Sequence, residues 1–189
     1  MRHISKVQGE SEIMVMVGDA APDFVSTAYQ DGEFRQIKLG DFRGKWVILF
    51  FYPADFTFVC PTELEGFSED FETFRSKEAE IISVSTDTEY THMAWTKADK
   101  RLSGIRYPMV ADRKGDISRA YNVYNEKTGN AMRGLFVIDP DGVIRYMVVT
   151  DDAVGRSTEE TLRVLAALQS GGLCPVNWKE GEQTLNSAV

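Results

Sequence analysis

The feature that most constrains the fold of this chain is a continuous apolar segment, KWVILFFYP, at residues 45–53. Gly44 precedes the segment and Pro53 ends it, and its side chains do not alternate between polar and apolar. A short apolar run bounded in this way predicts a central strand that is buried on both faces. The rest of the chain must therefore supply helices for the two faces of a sheet.

Strand and helix patterns alternate along the remaining sequence. The sequence predicts a strand or hairpin near 33–39, a helix with Leu64, Phe67, Phe71 and Phe74 on its apolar face, and a strand at 80–86. A helix at 87–102, capped by Asp87 and ended by Gly104, and a short helix at 115–123 follow. The last elements are a hairpin at 135–149 that turns at Pro-Asp-Gly, and a helix that begins with the capping pair Ser157 and Glu160 and stops at Gly171-Gly172. This β-α-β-α-(α)-β-β-α order predicts an α/β, thioredoxin-like fold with a central mixed sheet flanked by helices.

The chain divides into three parts. Its 189 residues, 43% of them hydrophobic, are enough for one domain with a substantial core. We expect this domain at residues 14–170, after a loose N-terminal extension at residues 1–13. Residues 171–189 show neither a helical nor a strand period and predict a C-terminal arm, in which Trp178 indicates that the arm docks on another surface.

Charge and hydropathy exclude some partners. The formal net charge is −8 and the sequence has no cluster of Lys and Arg, which argues against nucleic acid or an anionic membrane as the main partner. The N-terminal region has only a five-residue apolar stretch, Ile13 to Val17, too short for a signal peptide or a membrane span. We therefore expect a cytoplasmic protein, in which two widely separated cysteines do not form a disulfide framework.

One of these cysteines, Cys60, lies just past the end of the predicted central strand, where a helix begins. It could be an inert core residue, half of a disulfide, a metal ligand or a nucleophile. Pro61 favours the first helical turn, so Cys60 is expected at the N-cap or beside it; alternatively Thr57 is the N-cap and its hydroxyl reaches the Cys60 amide. In either case the positive end of the helix dipole favours the thiolate, which favours the nucleophile.

Metal and dithiol chemistry do not fit the residue pattern. The two cysteines and two histidines, His3 and His92, have no ligand-pair spacing, so we expect neither a metal nor another cofactor. There is no C-x-x-C pair, because Thr57 stands where its first cysteine would be. His92 falls within a helical pattern and is expected at the surface or the edge of the core, without a catalytic role.

Pro53, Thr57 and Cys60 together form P-x-x-x-T-x-x-C, the active-site signature of the peroxiredoxins. The likeness continues through VSTDTEYTHMAW (84–95), YPMVADRKGDISRAYNV (107–123), RGLFVIDPDGVIRY (133–146), VGRSTEETLR (154–163) and CPVNWKEGE (174–182). Over about residues 14–183 the chain resembles typical 2-Cys peroxiredoxins, in particular the peroxidase subunit of bacterial alkyl hydroperoxide reductase.

The resemblance implies a role for each of seven residues. These are Cys60 as the peroxidatic nucleophile, Thr57 as the group that orients the peroxide and the thiolate, Pro53 as a shield against water, Arg133 as the cation that stabilises the thiolate and polarises the O–O bond, Glu63 as a support for an arginine, Arg156 as a structural or supporting residue, and Cys174 as the resolving cysteine from the partner subunit. The disulfide alternative for Cys60 thus takes the form of a transient bond to Cys174 of a neighbour.

The resemblance also implies a function and partners. The expected activity is an antioxidant, thiol-dependent peroxidase that reduces hydrogen peroxide and organic hydroperoxides through a sulfenic acid and an intersubunit disulfide. The expected partners are a flavoprotein disulfide reductase or a thioredoxin-type reductant and a second copy of the chain, with further assembly to a decamer. The alternative is an oligomeric holdase chaperone or a peroxide sensor. A family loop, G-G-L-G, and a terminal Tyr-Phe helix are not found in KRLSGIRYPM or EQTLNSAV, which predicts relative resistance to over-oxidation.

Overall fold

The computed structural model describes residues 14–185. The nine strands within this range are β1 (Val25–Gln30), β2 (Glu33–Lys38), β3 (Trp46–Phe51), β4 (Ala79–Ser85), β5 (Met109–Ala111), β6 (Tyr124–Asn125), β7 (Asn130–Ala131), β8 (Arg133–Ile138) and β9 (Ile144–Thr150). The α-helices are α1 (Cys60–Glu69), α2 (Phe71–Ser76), α3 (Glu89–Ala98), α4 (Asp116–Ala120) and α5 (Thr158–Ser170), with short 3₁₀ turns at Leu39–Phe42 and Lys100–Leu102.

Seven strands form one mixed sheet in the order β2-β1-β5-β4-β3-β8-β9, and β6 and β7 form a separate small hairpin. Strand β3 lies in the middle of the large sheet, parallel to β4 and antiparallel to β8. Its side chains alternate between two buried layers, so that Leu49 and Phe51 face one layer and Ile48 and Phe50 face the other. The predicted central strand and mixed, thioredoxin-like sheet are confirmed.

The helical segment after β3 consists of two helices instead of the single helix that the sequence predicts. Helix α1 ends at Glu69. Its C-cap, Asp70, is also the N-cap of α2 and has φ −86° and ψ 5°. Phe67 and Phe71, on either side of the break, are both buried beneath the sheet. Because the apolar spacing of 3 and 4 continues through the break, the periodicity could not reveal it.

The start of α3 corrects the predicted cap. Thr88, and not Asp87, is the N-cap, and its side chain accepts a hydrogen bond from the backbone N–H of Thr91. Asp87 points elsewhere, as described below. The short strand β5 was missed, because three residues after a proline give no strand period; it nevertheless pairs with both β4 and β1.

The C-terminal half follows the predicted order. The β8–β9 hairpin turns at Pro140-Asp141-Gly142, and Ser157 caps α5 by accepting from the Glu160 N–H at 3.0 Å. Gly171 ends α5 in the left-handed conformation, with φ 65°. Helix α5 follows Arg156, a residue of the site described below, and it contacts the C-terminal segment through Arg163 and Ala167.

The C-terminal segment packs against its own subunit. Trp178 is only 4% exposed, and its carbonyl accepts from Arg163 of α5 at 3.1 Å. Lys77, after α2, forms an ion pair with Glu180 at 2.6 Å. The docking surface for this segment is therefore provided at least in part by α2 and α5.

The predicted N-terminal extension, residues 1–13, and His3 within it lie outside the described residues. No described helix is long and apolar enough to cross a membrane.

Candidate active site

Cys60 is the first residue of α1 and is completely buried. Its N-cap is Val59, which has helical dihedral angles and makes no side-chain capping bond. The expectation that Cys60 lies beside the N-cap therefore fits, whereas the alternative cap is wrong: the Thr57 hydroxyl donates to the Ala54 carbonyl at 2.9 Å instead of reaching the Cys60 amide. The sulfur thus lies at the positive end of a ten-residue helix.

Arg133, the first residue of β8, brings a guanidinium to the sulfur. Its Nη1 lies 3.4 Å from Cys60 Sγ and 2.6 Å from Glu63 Oε2, and its Nε donates to the Asp152 carbonyl at 2.9 Å. Burial alone would lower the pKa of Arg133, but its contacts with Cys60 and Glu63 raise that pKa above its usual value. The group beside the sulfur is therefore a permanent cation.

Glu63, one turn into α1, joins Arg133 to Arg156. Its Oε1 accepts from the Arg156 backbone N–H at 2.9 Å and from Arg156 Nε at 2.7 Å, and Oε2 accepts from Arg156 Nη2 at 2.9 Å. Arg156 Nη1 also donates to the carbonyls of Phe51 and Gly134. All three charged side chains are almost completely buried.

The charges of this cluster leave a net positive charge beside the sulfur. Arg133 and Arg156 carry two positive charges, and Glu63 supplies one negative charge. The Arg133 guanidinium, 3.4 Å from Cys60 Sγ, can therefore stabilise negative charge at the sulfur. Because these groups are buried, solvent and salt screen their interaction only weakly.

Pro53 and Thr57 lie in the segment between β3 and α1, and both are half-buried. Because the single hydroxyl proton of Thr57 is directed at the Ala54 carbonyl, the lone pairs of Oγ1 remain as hydrogen-bond acceptors. A hydroperoxide has one O–H donor that such an acceptor can bind. The structure thus brings Arg133, Glu63 and Arg156 into contact around Cys60 and leaves Pro53 and Thr57 on the loop that leads to it.

A buried polar network that the sequence did not predict supports this loop. Asp55 accepts from the Tyr52 hydroxyl at 2.8 Å and contacts His92 Nδ1 at 2.8 Å. Burial raises the pKa of Asp55, although the contact with His92 opposes the shift, and burial also raises the pKa of Tyr52. His92 is fully buried, so its expected place at the surface or core edge is wrong. A contact between a loop and a distant helix leaves no local sequence period that could have revealed it.

Cys174 is half-buried and lies at the other end of α5 from Arg156. Its Sγ donates to the Ala167 carbonyl at 3.7 Å and lies 3.4 Å from Ser170 Oγ. From Ser157 to Ala167 a helix rises about 15 Å at 1.5 Å per residue. Both cysteines are free thiols. Cys174 therefore lies in a different part of the subunit from the buried Cys60 cluster.

The described residues contain no group of three or more His, Cys, Asp or Glu side chains that could hold a metal ion. The groups for chemistry at Cys60 are its buried sulfur, the Arg133 guanidinium in contact with it, and the Thr57 hydroxyl on the preceding loop. This arrangement can stabilise a thiolate and bind a small molecule that both donates and accepts hydrogen bonds.

Comparison with known proteins identifies relatives over most of the chain. A family profile described as the AhpC/TSA family matches residues 17–147. The chain is 52% identical over 180 residues to ycf42 of Porphyra purpurea, a candidate peroxiredoxin, with 91% of this chain and 90% of that one covered. It is similar to the reduced 2-Cys peroxiredoxin of Plasmodium vivax, with TM-score 0.86, 35% identity and coverage of 89% and 91%. AhpC of Enterococcus faecalis gives TM-score 0.82 and 40% identity, with coverage of 86% and 100%.

Proposed function

The chain belongs to the AhpC/TSA family of peroxiredoxins, which are thiol-dependent peroxidases, and we propose that Cys60 is its peroxidatic nucleophile. The observation that carries this assignment is the 3.4 Å contact between Cys60 Sγ and Arg133 Nη1 at the start of α1. The site supports a two-electron reduction of hydrogen peroxide and organic hydroperoxides by the sulfur.

The first step transfers one oxygen to sulfur. The Cys60 thiolate attacks the hydroxyl oxygen of ROOH, and the S–O bond forms as the O–O bond breaks. RO⁻ leaves and becomes ROH by taking from solvent the equivalent of the proton that the thiol released on forming the thiolate. Sulfur is oxidised by two electrons to the sulfenic acid, and the peroxide is reduced. Negative charge moves from sulfur to the leaving oxygen, so fixed donors near both atoms stabilise the transition state.

The surrounding residues take distinct parts in this step. Arg133 stabilises the thiolate and polarises the O–O bond, and the Thr57 oxygen accepts the peroxide O–H. Pro53 limits the access of water to the sulfur. Glu63 holds Arg133 in place and is itself held by Arg156, which is supported by their contacts of 2.6 and 2.7 Å.

The second step forms a disulfide with the partner subunit. The Cys174 thiol of that subunit attacks the Cys60 sulfenic acid, and water leaves with the thiol proton and the sulfenic hydroxyl. An intersubunit bond is supported by where the two cysteines lie in one chain. Cys60 belongs to the cluster that contains Arg156, just before α5, whereas Cys174 contacts Ala167 and Ser170 near the other end of that helix. An external dithiol, from a flavoprotein disulfide reductase or a thioredoxin-type protein, then reduces the disulfide and is itself oxidised.

The assembly and location are further parts of this proposal. The reaction as written needs at least a homodimer, and the ring of five dimers expected from the family remains a prediction. The cytoplasmic location expected from the sequence likewise remains a prediction.

The test is peroxide turnover with each candidate reductant in turn, in the wild type, Cys60→Ser and Cys174→Ser. The wild type should consume peroxide continuously and give a disulfide-linked dimer on a non-reducing gel. Cys60→Ser should lose both properties. Cys174→Ser should reduce about one equivalent of peroxide without forming the dimer. Unchanged turnover in Cys60→Ser would refute the assignment, and client protection that survives in that variant would identify a holdase activity.

A further inference from the structure

A single peptide group connects the Thr57 hydroxyl to the end of β4. The peptide between Ala54 and Asp55 accepts the Thr57 O–H through its carbonyl at 2.9 Å. Its N–H donates to Asp87 Oδ2, also at 2.9 Å. Because the peptide is planar, the orientation of its N–H fixes the orientation of its carbonyl. The carboxylate of Asp87 therefore determines where the Thr57 hydroxyl finds its acceptor.

Asp87 is itself anchored to the core of the sheet. Its Oδ2 also accepts from the Ser85 hydroxyl at 2.8 Å, and its backbone N–H donates to that hydroxyl oxygen at 3.2 Å. Ser85 is the last residue of β4 and is fully buried. The carboxylate is not needed for the neighbouring helix, because Thr88 provides the N-cap of α3. Its contacts thus serve the loop before Cys60.

The loop needs this support because its turn contains a strained residue. Phe56 has φ 56°, in the left-handed region that is unfavourable for residues other than glycine. The Asp55 side chain is held by Tyr52 and His92, but those bonds do not involve the Ala54–Asp55 peptide itself. The peptide N–H bonds to Asp87, and this contact anchors the peptide plane to the sheet.

We infer that Asp87 is a positioning residue for peroxide reduction: it holds the Ala54–Asp55 peptide so that the Thr57 proton is directed at the Ala54 carbonyl and the Thr57 lone pairs are directed at the peroxide. This inference rests on the proposed role of Thr57. Rotation of the peptide removes the acceptor, and the hydroxyl then turns to another partner. The consequence is confined to the step in which the peroxide O–H is bound.

The test is a double-mutant cycle between Asp87 and Thr57, with two reagents for the same sulfur. Single-turnover oxidation of Cys60 by hydrogen peroxide requires the Thr57 acceptor, whereas alkylation by iodoacetamide requires only the thiolate. Asp87→Ala should slow oxidation by about 10- to 100-fold, the loss expected for misplacement of a reacting group, and should leave alkylation nearly unchanged. In a Thr57→Val background, Asp87→Ala should slow oxidation by less than about threefold.

Two further variants separate positioning from general destabilisation. Asp87→Asn keeps an oxygen that can accept from Asp55, and should stay within about threefold of the wild type in oxidation rate. Thr88→Ala removes the adjacent cap of α3 and should leave the ratio of oxidation to alkylation rates unchanged. If Asp87→Ala does not fold, Ser85→Ala, which frees the carboxylate on one side, replaces it in the cycle.

The outcomes are distinct. Equal losses from Asp87→Ala in the wild-type and Thr57→Val backgrounds, or a parallel loss of alkylation, would overturn the inference, as would an Asp87→Asn variant as slow as Asp87→Ala. Absence of peroxide oxidation in the wild type would instead refute the proposed function. If the wild type reduces peroxide but the effects of the Asp87 and Thr57 substitutions on the oxidation rate are additive, the inference about Asp87 is overturned and the proposed function stands.

Discussion

At the scale of single residues, the most constrained group in the site is the Glu63 carboxylate. It accepts hydrogen bonds from two guanidinium groups, and its side chain is only 1% exposed. Glu63 of α1 thereby fixes Arg133, the first residue of β8, and Arg156, which precedes the N-cap of α5. The same carboxylate offsets one of the two positive charges that Arg133 and Arg156 bring to the buried cluster.

Replacement of Glu63 by Gln should be costly both to stability and to catalysis. Removal of one partner from a buried ion pair leaves an uncompensated charge, and here the free energy of unfolding should fall by about 3 kcal/mol. Arg133 also loses its fixed position, so the oxidation of Cys60 by peroxide should slow by about tenfold or more. Urea unfolding and stopped-flow oxidation measure the two effects.

Glu69→Gln is the matched control, because Glu69 is an exposed residue at the end of the same helix. It should change the free energy of unfolding by less than about 0.5 kcal/mol. A Glu63→Gln variant as stable as this control would contradict the buried-pair argument.

At the scale of elements, Asp139 holds the turn between β8 and β9. Its Oδ1 accepts from the Val143 N–H at 2.8 Å, and its Oδ2 accepts from Arg145 Nε at 2.6 Å. Burial alone would raise the pKa of Asp139, but these hydrogen bonds hold it below its usual value. The strand that begins with Arg133 therefore ends in a turn that depends on an ionised carboxylate.

The sign of the resulting pH effect follows from the lowered pKa of Asp139. The ionised carboxylate contributes stability above the pKa of the unfolded chain, near 3.9, and this contribution is lost as pH falls through the lower folded pKa. Asp139→Asn should cost about 1 kcal/mol at pH 7, a modest value because Arg145 is half-exposed. The difference between the two proteins in free energy of unfolding, measured with urea, should shrink below about pH 4. A difference that does not change with pH would contradict the stabilising role of the ionised Asp139 carboxylate.

The proposed intersubunit disulfide requires the first turn of α1 to move. Cys60 is fully buried, so its sulfur cannot meet a second sulfur without local movement. Pro61 has no N–H, and the N–H groups of Thr62 and Glu63 both donate to the Val59 carbonyl, at 3.0 and 3.4 Å. With only one carbonyl accepting both bonds, the first turn can unwind at a small backbone cost.

Hydrogen exchange should register this unwinding. Amides of residues 62–66 should exchange faster in the oxidised, disulfide-linked protein than in the reduced protein, while those of α3 keep their protection. Mass spectrometry measures the deuterium uptake of these segments in the reduced and the oxidised protein. Equal protection of residues 62–66 in both states would show that the turn stays wound.

At the scale of the whole molecule, the C-terminal segment covers part of its own subunit. Trp178 is buried, with its indole N–H donating to the Glu182 carbonyl at 3.0 Å, and Lys77 pairs with Glu180. The sequence predicted that Trp178 docks the arm; the structure supplies α5 and the end of α2 as a surface for it. The position of Cys174, four residues earlier in the chain, depends on this docking.

Trp178→Ala should release the arm without unfolding the domain. Loss of a buried Trp costs about 3 kcal/mol or more in a core, so cleavage by trypsin at Lys179 should accelerate by about tenfold or more. Val176→Ala is the control, because Val176 is 89% exposed and should leave the cleavage rate unchanged. Equal cleavage rates in the two variants would exclude Trp178 as the anchor.

The sequence alone determined the elements whose signals are local. The apolar run of β3, the start of a helix at Cys60, the Pro-Asp-Gly turn and the limits of α5 follow from periodicity, capping and turn preferences, each of which involves neighbouring residues only. The P-x-x-x-T-x-x-C signature singled out Cys60 for the same reason.

Only the tertiary structure decided which distant groups meet. Arg133 reaches Cys60 across 73 positions, and Arg156 reaches Glu63 across 93. The burial of His92 and the bond from Asp55 to Asp87 likewise depend on which strands are neighbours in the sheet. Such contacts are set by topology and packing, and they leave no period in the chain. The sequence could therefore single out Cys60, the proposed nucleophile, but it could not identify the residues that hold the loop before it.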